Sequence, residues 1–153
     1  MQRLQRLVIG PQRCQRAFSS VQVVDSSDGW KGFLSSKDSS PRVAYFTASW
    51  CGPCRAENPN VVKAFQKFQS KNFHILGVSL DRAGQKDKWM KAIHDDGLTW
   101  TQVSDLKFWN NTVAVQYGIR AIPQNLLLDP NGIIVGKNLR GEKLMSTLEG
   151  MLK

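Results

Sequence analysis

The fold of this 153-residue chain is decided by residues 43–55, which run Val43-Ala44-Tyr45-Phe46-Thr47-Ala48-Ser49-Trp50-Cys51-Gly52-Pro53-Cys54-Arg55. The first seven residues are an apolar run typical of a strand, and two cysteines follow at the predicted start of a helix. Such a pair can close into a small disulfide ring and open again. A helix N-terminus carries partial positive charge, which favours the reactive thiolate. The stretch therefore predicts a redox-active Cys51–Cys54 disulfide at a strand-to-helix junction.

A βαβ unit surrounds this junction. The predicted helix extends to about Ser70 with apolar residues at helical spacing, and Pro59 inside it should kink it. A second apolar strand follows at residues 73–80. Two strands joined in this way are expected to be parallel, with a right-handed crossover.

The rest of the chain predicts a second half that completes an α/β fold. Helices are expected at about residues 85–94, 110–116 and 142–152. Two strands, 125–128 and 133–135, flank Asp129-Pro130-Asn131-Gly132, a strong hairpin turn signal. A short amphipathic element is expected at residues 29–34. Together these elements predict a central mixed β-sheet flanked by helices.

Residues 1–24 differ in composition from the remainder and are predicted to be a targeting leader. They contain Arg3, Arg6, Arg13 and Arg16 and no acidic residue, and so supply four of the nine net positive charges. The segment Arg16-Ala17-Phe18-Ser19-Ser20 resembles a mitochondrial processing site, and the apolar core of a secretory signal is missing. A disordered basic tail is the alternative. Residues 25–153 are expected to form one domain.

Composition excludes several classes of protein. No apolar run approaches the roughly 20 residues that a membrane-spanning helix needs. There is no basic stripe with a recognition motif, so nucleic-acid binding is not expected. Zinc usually takes four ligands, but His74 and His94 lie far from the single C-x-x-C. We therefore expect no metal. We also expect no cofactor and a monomer.

The motif Trp50-Cys51-Gly52-Pro53-Cys54 resembles the active site of thioredoxin-fold oxidoreductases, and the resemblance covers about residues 25–153. The match is best with the TlpA/ResA-like thiol–disulfide oxidoreductases. It is carried by residues 50–57, 78–81, 117–119, 122–123, 128–132 and 139–141. Tryparedoxins and nucleoredoxins, which residues 46–51 also resemble, come second because they favour proline at the position of Gly52.

The resemblance implies a role for each site residue. Cys51 would be the nucleophile, and Cys54 would attack the mixed disulfide and release the substrate. Pro123, after Ile122, matches the family's cis-proline, whose loop faces the disulfide and presents backbone to the substrate. An ordinary trans proline at the start of a strand is the alternative. The substrate-binding residues would be Trp50, Gly52, Pro53, Ile122 and Pro123. The other tryptophans, Trp30, Trp89, Trp100 and Trp109, are expected to be packing residues.

Glu57 is the third predicted catalytic residue. Thioredoxins usually place a buried aspartate six residues before the first cysteine, where this chain has Tyr45. TlpA/ResA-like proteins instead carry a glutamate three residues after the second cysteine, where Glu57 stands. A carboxylate there could take the proton from Cys54 as a general base. The alternative is a solvated helix glutamate.

The resemblance implies an enzyme that reduces protein disulfides with electrons from an upstream thiol donor. A peroxiredoxin-type peroxidase would need a proline and a threonine where Ala44 and Ala48 stand. A non-enzymatic binding module could use the groove near Pro123 without turnover. The leader predicts the mitochondrial matrix, whereas many TlpA/ResA-like proteins work outside the bacterial cytoplasm, which is the alternative location.

Overall fold

A seven-stranded sheet forms the centre of the computed structural model, which describes residues 6–7, 21–23, 30–33 and 40–152. In chain order its strands are β1 (Arg6–Leu7), β2 (Val21–Val23), β3 (Arg42–Thr47), β4 (His74–Ser79), β5 (Thr101–Ser104), β6 (Gln124–Leu128) and β7 (Ile134–Lys137). They lie in the order β1-β2-β5-β4-β3-β6-β7. Parallel pairs join β2, β5, β4 and β3, whereas β6 and β7 add on in antiparallel register. The sheet is therefore mixed, as predicted.

Helices pack on this sheet. They are α1 (residues 30–33), α2 (Gly52–Phe68), α3 (Lys86–Asp96), α4 (Thr112–Gln116) and α5 (Glu142–Met151), with 3₁₀ turns at Gln69–Lys71 and Phe108–Asn110. α2 continues through Pro59 to Phe68. Within the described ranges, no helix combines the length and the hydropathy that a bilayer crossing requires. The predicted α/β architecture is confirmed.

Strand β3 lies inside the sheet, between β4 and β6, and both of its faces are buried. Its side chains alternate with the period of two that a strand dictates. Val43 and Tyr45 belong to one apolar cluster, which includes Phe68 of α2, and Ala44 and Phe46 belong to another. Each large apolar side chain that is fully buried contributes about 1.5–3 kcal/mol. The strand that leads into the redox motif is thus anchored on both sides.

The sequence did not predict β5 as a strand. Two of its four residues, Gln102 and Ser104, are polar yet almost wholly buried, at 1% and 0% exposure. Polar residues inside a buried strand remove the apolar run that would indicate one. The hydroxyl of Ser104 donates to the carbonyl oxygen of Ser79 at 3.0 Å, so burial does not leave it unsatisfied.

Two of the strands come from the segment predicted to be a leader. β2 pairs in parallel with β5, and β1 pairs antiparallel with β2. The sheet therefore draws on residues before position 25, where the domain was predicted to begin. The processing-site residues, 16–20, lie outside the described residues, and the leader itself stays a prediction.

Candidate functional site

Cys51 and Cys54 form a closed disulfide at the start of α2. Their sulfurs are 2.18 Å apart and their Cα atoms 5.2 Å apart. Cys51 is the N-cap of the helix, in extended conformation, and its Sγ accepts the N–H of Cys54 at 3.2 Å. Pro53 lies in the first turn, where a missing N–H costs nothing and a fixed φ suits the helix. The same short motif therefore forms the N-terminus of α2 and closes the disulfide ring.

The two sulfurs have different surroundings. Cys51 keeps 4% of its surface exposed and Cys54 none, while Gly52 and Pro53 beside them are exposed. The Sγ of Cys51 also lies 3.6 Å from the carbonyl oxygen of Ile122, and the Ile122–Pro123 peptide bond is cis. Cys51 is thus the member of the pair that solvent reaches, and it faces the Ile122–Pro123 loop.

That loop is anchored by residues near the end of the chain. Arg140 donates from Nη2 to the carbonyl oxygen of Pro123 at 2.7 Å. The side chain of Asn125 donates to the Leu139 carbonyl oxygen at 2.6 Å and accepts the Leu139 N–H at 3.0 Å. The sequence had matched residues 139–141 to a family without giving them a role. Their role here is to fix the loop that faces Cys51.

Glu57 lies one helical turn after Cys54 and connects α2 to α5. Its Oε1 accepts from Asn60 Nδ2 at 2.9 Å, and its Oε2 accepts from the Gly141 N–H at 3.0 Å. Both oxygens are therefore engaged by donors other than Cys54. These contacts give Glu57 a positional role, which the sequence did not predict and which does not depend on proton transfer.

Tyr45 occupies the position where thioredoxins place a buried acid. Its hydroxyl donates to Asn58 Oδ1 at 2.8 Å and lies 3.5 Å from the carbonyl oxygen of Cys54. Burial raises the pKa of Tyr45 well above its ordinary value of about 10, and the negative charge of Glu57 raises it further. Tyr45 therefore stays neutral at physiological pH and acts as a hydrogen-bond donor, not as a base.

A charged group from α3 holds the first turns of α2. The carboxylate of Asp96 accepts from Arg55 Nε at 2.6 Å and Nη2 at 3.1 Å, and from Asn58 Nδ2 at 2.7 Å. The bidentate contact with Arg55 fixes the orientation of the two groups. Together with Tyr45, Asp96 fixes the helix that carries Cys54.

A buried carboxylate, that of Asp81, fixes the residues before Trp50. Asp81 is fully buried, and its oxygens accept the Ser49 N–H at 3.2 Å, the Ser49 hydroxyl, and the Ser79 hydroxyl at 2.5 Å. A buried charge is tolerated only when it is hydrogen-bonded in this manner. The sequence had quoted residues 78–81 only as a family match. Asp81 links the end of β4 to the loop that enters the redox motif.

Trp50, which directly precedes Cys51, contacts two other aromatic rings. Trp50 is 46% exposed, with its ring centroid 5.4 Å from that of Phe108 and 6.1 Å from that of Trp109. Phe108 has a φ of 54°, which costs a non-glycine residue about 1–2 kcal/mol. Its N–H donates to the Asp81 carbonyl oxygen at 3.2 Å, which holds it there. We call Trp50, Phe108 and Trp109 the aromatic surface.

Of the four other tryptophans, three are placed as predicted and the fourth, Trp109, only in part. Trp30, Trp89 and Trp100 are buried, as expected, at 2–3% exposure. Trp109 was expected to be a packing residue and does pack against the cluster that contains both cysteines, but it also faces Trp50 and stays half-buried. The sequence did not predict a role for Phe108, because its contact with Trp50 joins residues 58 positions apart and forms only in the folded chain.

A mixed sheet in which an interior strand leads into a two-cysteine ring at a helix N-terminus has the thioredoxin fold. A solved thiol-disulfide oxidoreductase from Bacteroides fragilis NCTC 9343 shares it with a TM-score of 0.69 and 35% sequence identity, covering 74% of this chain and 82% of that one. The chain belongs to the AhpC/TSA family, whose model matches residues 23–137.

Curated relatives agree with this assignment. Human nucleoredoxin is 30% identical over 119 residues, which cover 72% of this chain and 25% of nucleoredoxin. The thiol-disulfide oxidoreductase ResA of Bacillus anthracis is 27% identical over 108 residues, covering 71% of this chain and 59% of ResA. The chain thus spans about a quarter of the nucleoredoxin length. The resemblance to TlpA/ResA-like proteins is confirmed, and nucleoredoxins are relatives as well.

Proposed function

We propose that this chain is a thiol–disulfide oxidoreductase that reduces protein disulfides by cycling the Cys51–Cys54 pair between dithiol and disulfide. The observation that carries the proposal is the closed ring at the N-terminus of α2, in which Cys51 alone keeps exposed surface. A thiolate at a helix N-terminus is stabilised by the unpaired N–H groups there.

The first step forms a mixed disulfide. The thiolate of Cys51 attacks one sulfur of a substrate disulfide, so a bond forms between Cys51 Sγ and that sulfur while the substrate S–S bond breaks. The leaving sulfur departs as a thiolate and takes a proton from solvent. The substrate would lie against Trp50, Gly52 and Pro53 on one side of Cys51 and against Ile122 and Pro123 on the other.

The second step closes the ring. Cys54 loses its proton and attacks Cys51 Sγ, which releases the second substrate thiolate. Two electrons have then passed from the protein to the substrate. A thiol electron donor must reduce the Cys51–Cys54 disulfide before another cycle begins.

We assign the proton of Cys54 to Glu57. It lies one helical turn further along α2, and its charge is near enough to raise the pKa of Tyr45, whose hydroxyl lies 3.5 Å from the Cys54 carbonyl oxygen. Tyr45 is neutral and cannot take the proton itself. The hydrogen bonds that Glu57 accepts from Asn60 and Gly141 hold its carboxylate in place.

We propose that the protein works as a monomer in the mitochondrial matrix. The Arg-rich, acid-free segment 1–24 supports this location, and a matrix environment favours reduction of disulfides. A position outside the bacterial cytoplasm is the alternative, and the leader test described in the Discussion separates the two.

Turnover of insulin disulfides with dithiothreitol tests the proposed activity. The wild-type protein is expected to accelerate insulin reduction, whereas the Cys51→Ser variant is expected to add nothing to the dithiothreitol background. Consumption of hydrogen peroxide under the same conditions separates a reductase from a peroxidase. A protein that consumed peroxide rapidly but did not reduce insulin would contradict the proposal, as would one that did neither.

A further inference from the structure

An open pocket of about 390 Å³ adjoins the redox motif. It is lined by Ser49, Trp50, Asp81, Arg82, Ala83, Gln85 and Lys88. Among these lining residues, Arg82 and Lys88 are exposed cations. The carboxylate of Asp81 is fully buried and accepts hydrogen bonds from Ser49 and Ser79. The surface that a substrate meets in this pocket is therefore positively charged.

The position of Arg82 is fixed relative to the aromatic surface. Its guanidinium carbon lies 4.1 Å from the centroid of the Phe108 ring, a cation–π contact. The backbone of Arg82 also forms an antiparallel bridge with Lys107, next to Phe108 in the chain. A cation held in this way loses little side-chain freedom when it binds an anion.

The pocket is continuous with the redox site. Phe108 contacts Trp50, which directly precedes Cys51, and Trp109 packs against the cluster that contains Cys51 and Cys54. The path from the Trp50 ring across Phe108 to the Arg82 guanidinium is shorter than about 10 Å, which an extended chain covers in about three residues. A substrate cysteine that lies against the Trp50 ring, beside Cys51, therefore has the third residue along its chain at the Arg82 guanidinium.

From this geometry we infer that the site prefers disulfide substrates with an acidic side chain about three positions from the reacting cysteine. The carboxylate binds Arg82 and Lys88, and the chain between it and the cysteine lies over Trp50 and Phe108. The inference rests on the proposed function and gives the substrate class for the same site. Because these charges are exposed, we expect the acidic side chain to raise the rate of exchange by about two- to tenfold. Added salt should weaken this effect.

Stopped-flow kinetics with three matched peptides test the preference. Each peptide carries one cysteine as a mixed disulfide with 2-thiopyridine, and differs only in having Glu, Gln or Lys three residues away. The thiolate of Cys51 attacks the peptide sulfur, forms the protein–peptide disulfide and releases 2-thiopyridone, whose absorbance is followed. Each rate constant is divided by that for methyl 2-pyridyl disulfide, which is neutral and too small to reach the pocket.

At low ionic strength the normalised rate is expected to fall from the Glu to the Gln to the Lys peptide. Arg82→Gln and Lys88→Gln should each bring the Glu-to-Gln ratio closer to one, and Arg82→Lys should retain most of it. Lys63→Gln, an equal charge change on α2 outside the pocket, should leave the ratio unchanged.

Two results have different meanings. If the wild-type protein reacts with all three peptides at the same normalised rate, the acidic preference is wrong and the redox function stands. The same conclusion follows if Arg82→Gln and Lys88→Gln both leave the Glu-to-Gln ratio unchanged. No reaction with methyl 2-pyridyl disulfide would instead contradict the proposed function itself.

Discussion

The two cysteines of the ring are chemically the same, but their surroundings differ. Cys51 caps the helix, keeps a small exposed area and faces the Ile122 carbonyl oxygen. Cys54 lies in the first turn of α2 and is wholly buried as a member of an apolar cluster. An intermolecular attack needs access to solvent, so we propose that Cys51 reacts first and that Cys54 completes the exchange.

Single cysteine variants separate these roles. Cys54→Ser should retain the attack and accumulate a covalent mixed disulfide with the substrate, because the resolving thiol is gone. Cys51→Ser should abolish both turnover and trapping. Intact-protein mass spectrometry after incubation with a protein disulfide measures the adduct. Trapping by Cys51→Ser and not by Cys54→Ser would reverse the assignment.

Substitution of Glu57 tests its proton-accepting role. Glu57→Gln keeps an oxygen that can accept the Gly141 N–H but cannot take up a proton, so the fold should survive while exchange slows. General bases typically contribute about 10²–10⁴-fold, and we expect the low end or less, because exchange already proceeds through a thiolate. The loss should be largest near pH 6, where thiolate is scarce, and should shrink towards pH 9.

The control for this experiment is Asn60→Ala, which removes the hydrogen bond to Glu57 Oε1 and keeps the carboxylate. Stopped-flow reduction of a protein disulfide gives the rates of both variants. If Glu57→Gln reacts at the wild-type rate at every pH, Glu57 only positions α5.

The sequence predicts the two cysteines and the proline of the candidate site, but not the residues that hold them in place. Cys51, Cys54 and Pro123 are recognisable because their spacing and neighbours are local. The partners Asp81, Asp96 and Arg140 reach the site from distant parts of the chain, and an isolated aspartate or arginine gives no signal of the contact it will make. Only the fold brings them within hydrogen-bond distance.

Among the elements, α2 depends on its neighbours for the position of its first turn. Asp96, at the end of α3, accepts hydrogen bonds from Arg55 and from the buried Asn58. Arg55 is 37% exposed, so its ion pair contributes little after screening by solvent. The buried amide of Asn58 matters more, since a donor that loses its partner there cannot turn to water.

Removal of the Asp96 carboxylate tests this link between helices. Asp96→Ala should lower the free energy of unfolding by about 1–3 kcal/mol, because Asn58 Nδ2 is left buried without its acceptor. Asp95→Ala is the matched control, because Asp95 is the adjacent residue, is exposed and pairs with Lys91 and His94 on the same helix. It should leave stability nearly unchanged in chemical denaturation. Equal losses in the two variants would contradict the account.

The elements themselves were predicted where their patterns are strong. β3, α2 and β4 carry apolar runs or helical periodicity, and they are present within one or two residues of the predicted bounds. β5 was missed because Gln102 and Ser104 are polar and buried. β7 begins one residue later and extends two residues further than predicted, because at the end of the sheet its alternating half-buried side chains give a weak signal.

For the whole molecule, the unequal distribution of charge is the feature that bears on location. Residues 1–24 contribute four arginines and no acid, and their strands β1 and β2 lie at one edge of the sheet beside β5. The other five strands, β5-β4-β3-β6-β7, form the part of the sheet that holds the redox site. The site is therefore built by strands outside the predicted leader.

A reporter fusion tests the leader. Residues 1–24 joined to a fluorescent protein should direct it to mitochondria in a eukaryotic cell, because an Arg-rich, acid-free amphipathic segment suits import. A control in which Arg3, Arg6, Arg13 and Arg16 are all replaced by glutamine should leave the reporter diffuse. A diffuse signal from the native segment would remove the mitochondrial proposal.

The overall architecture could be predicted because the redox motif, the βαβ unit and the hairpin turn agree with one another. The acidic-substrate preference could not, since it depends on Arg82 and Phe108, which approach the motif through contacts between the loops after β4 and β5. Local patterns determine which elements form, and the pocket arises only when those elements are packed together.

We propose that Cys51 and Cys54 exchange two electrons with other thiols. Equilibrium titration of the pair in glutathione buffers, with the reduced fraction measured by alkylation and mass spectrometry, tests it most directly. We predict a single reversible two-electron transition between roughly −270 and −120 mV, the range of thioredoxin-fold oxidoreductases, and towards its reducing end. A pair that stays oxidised across that whole range would be an inert structural disulfide, and the claim would be wrong.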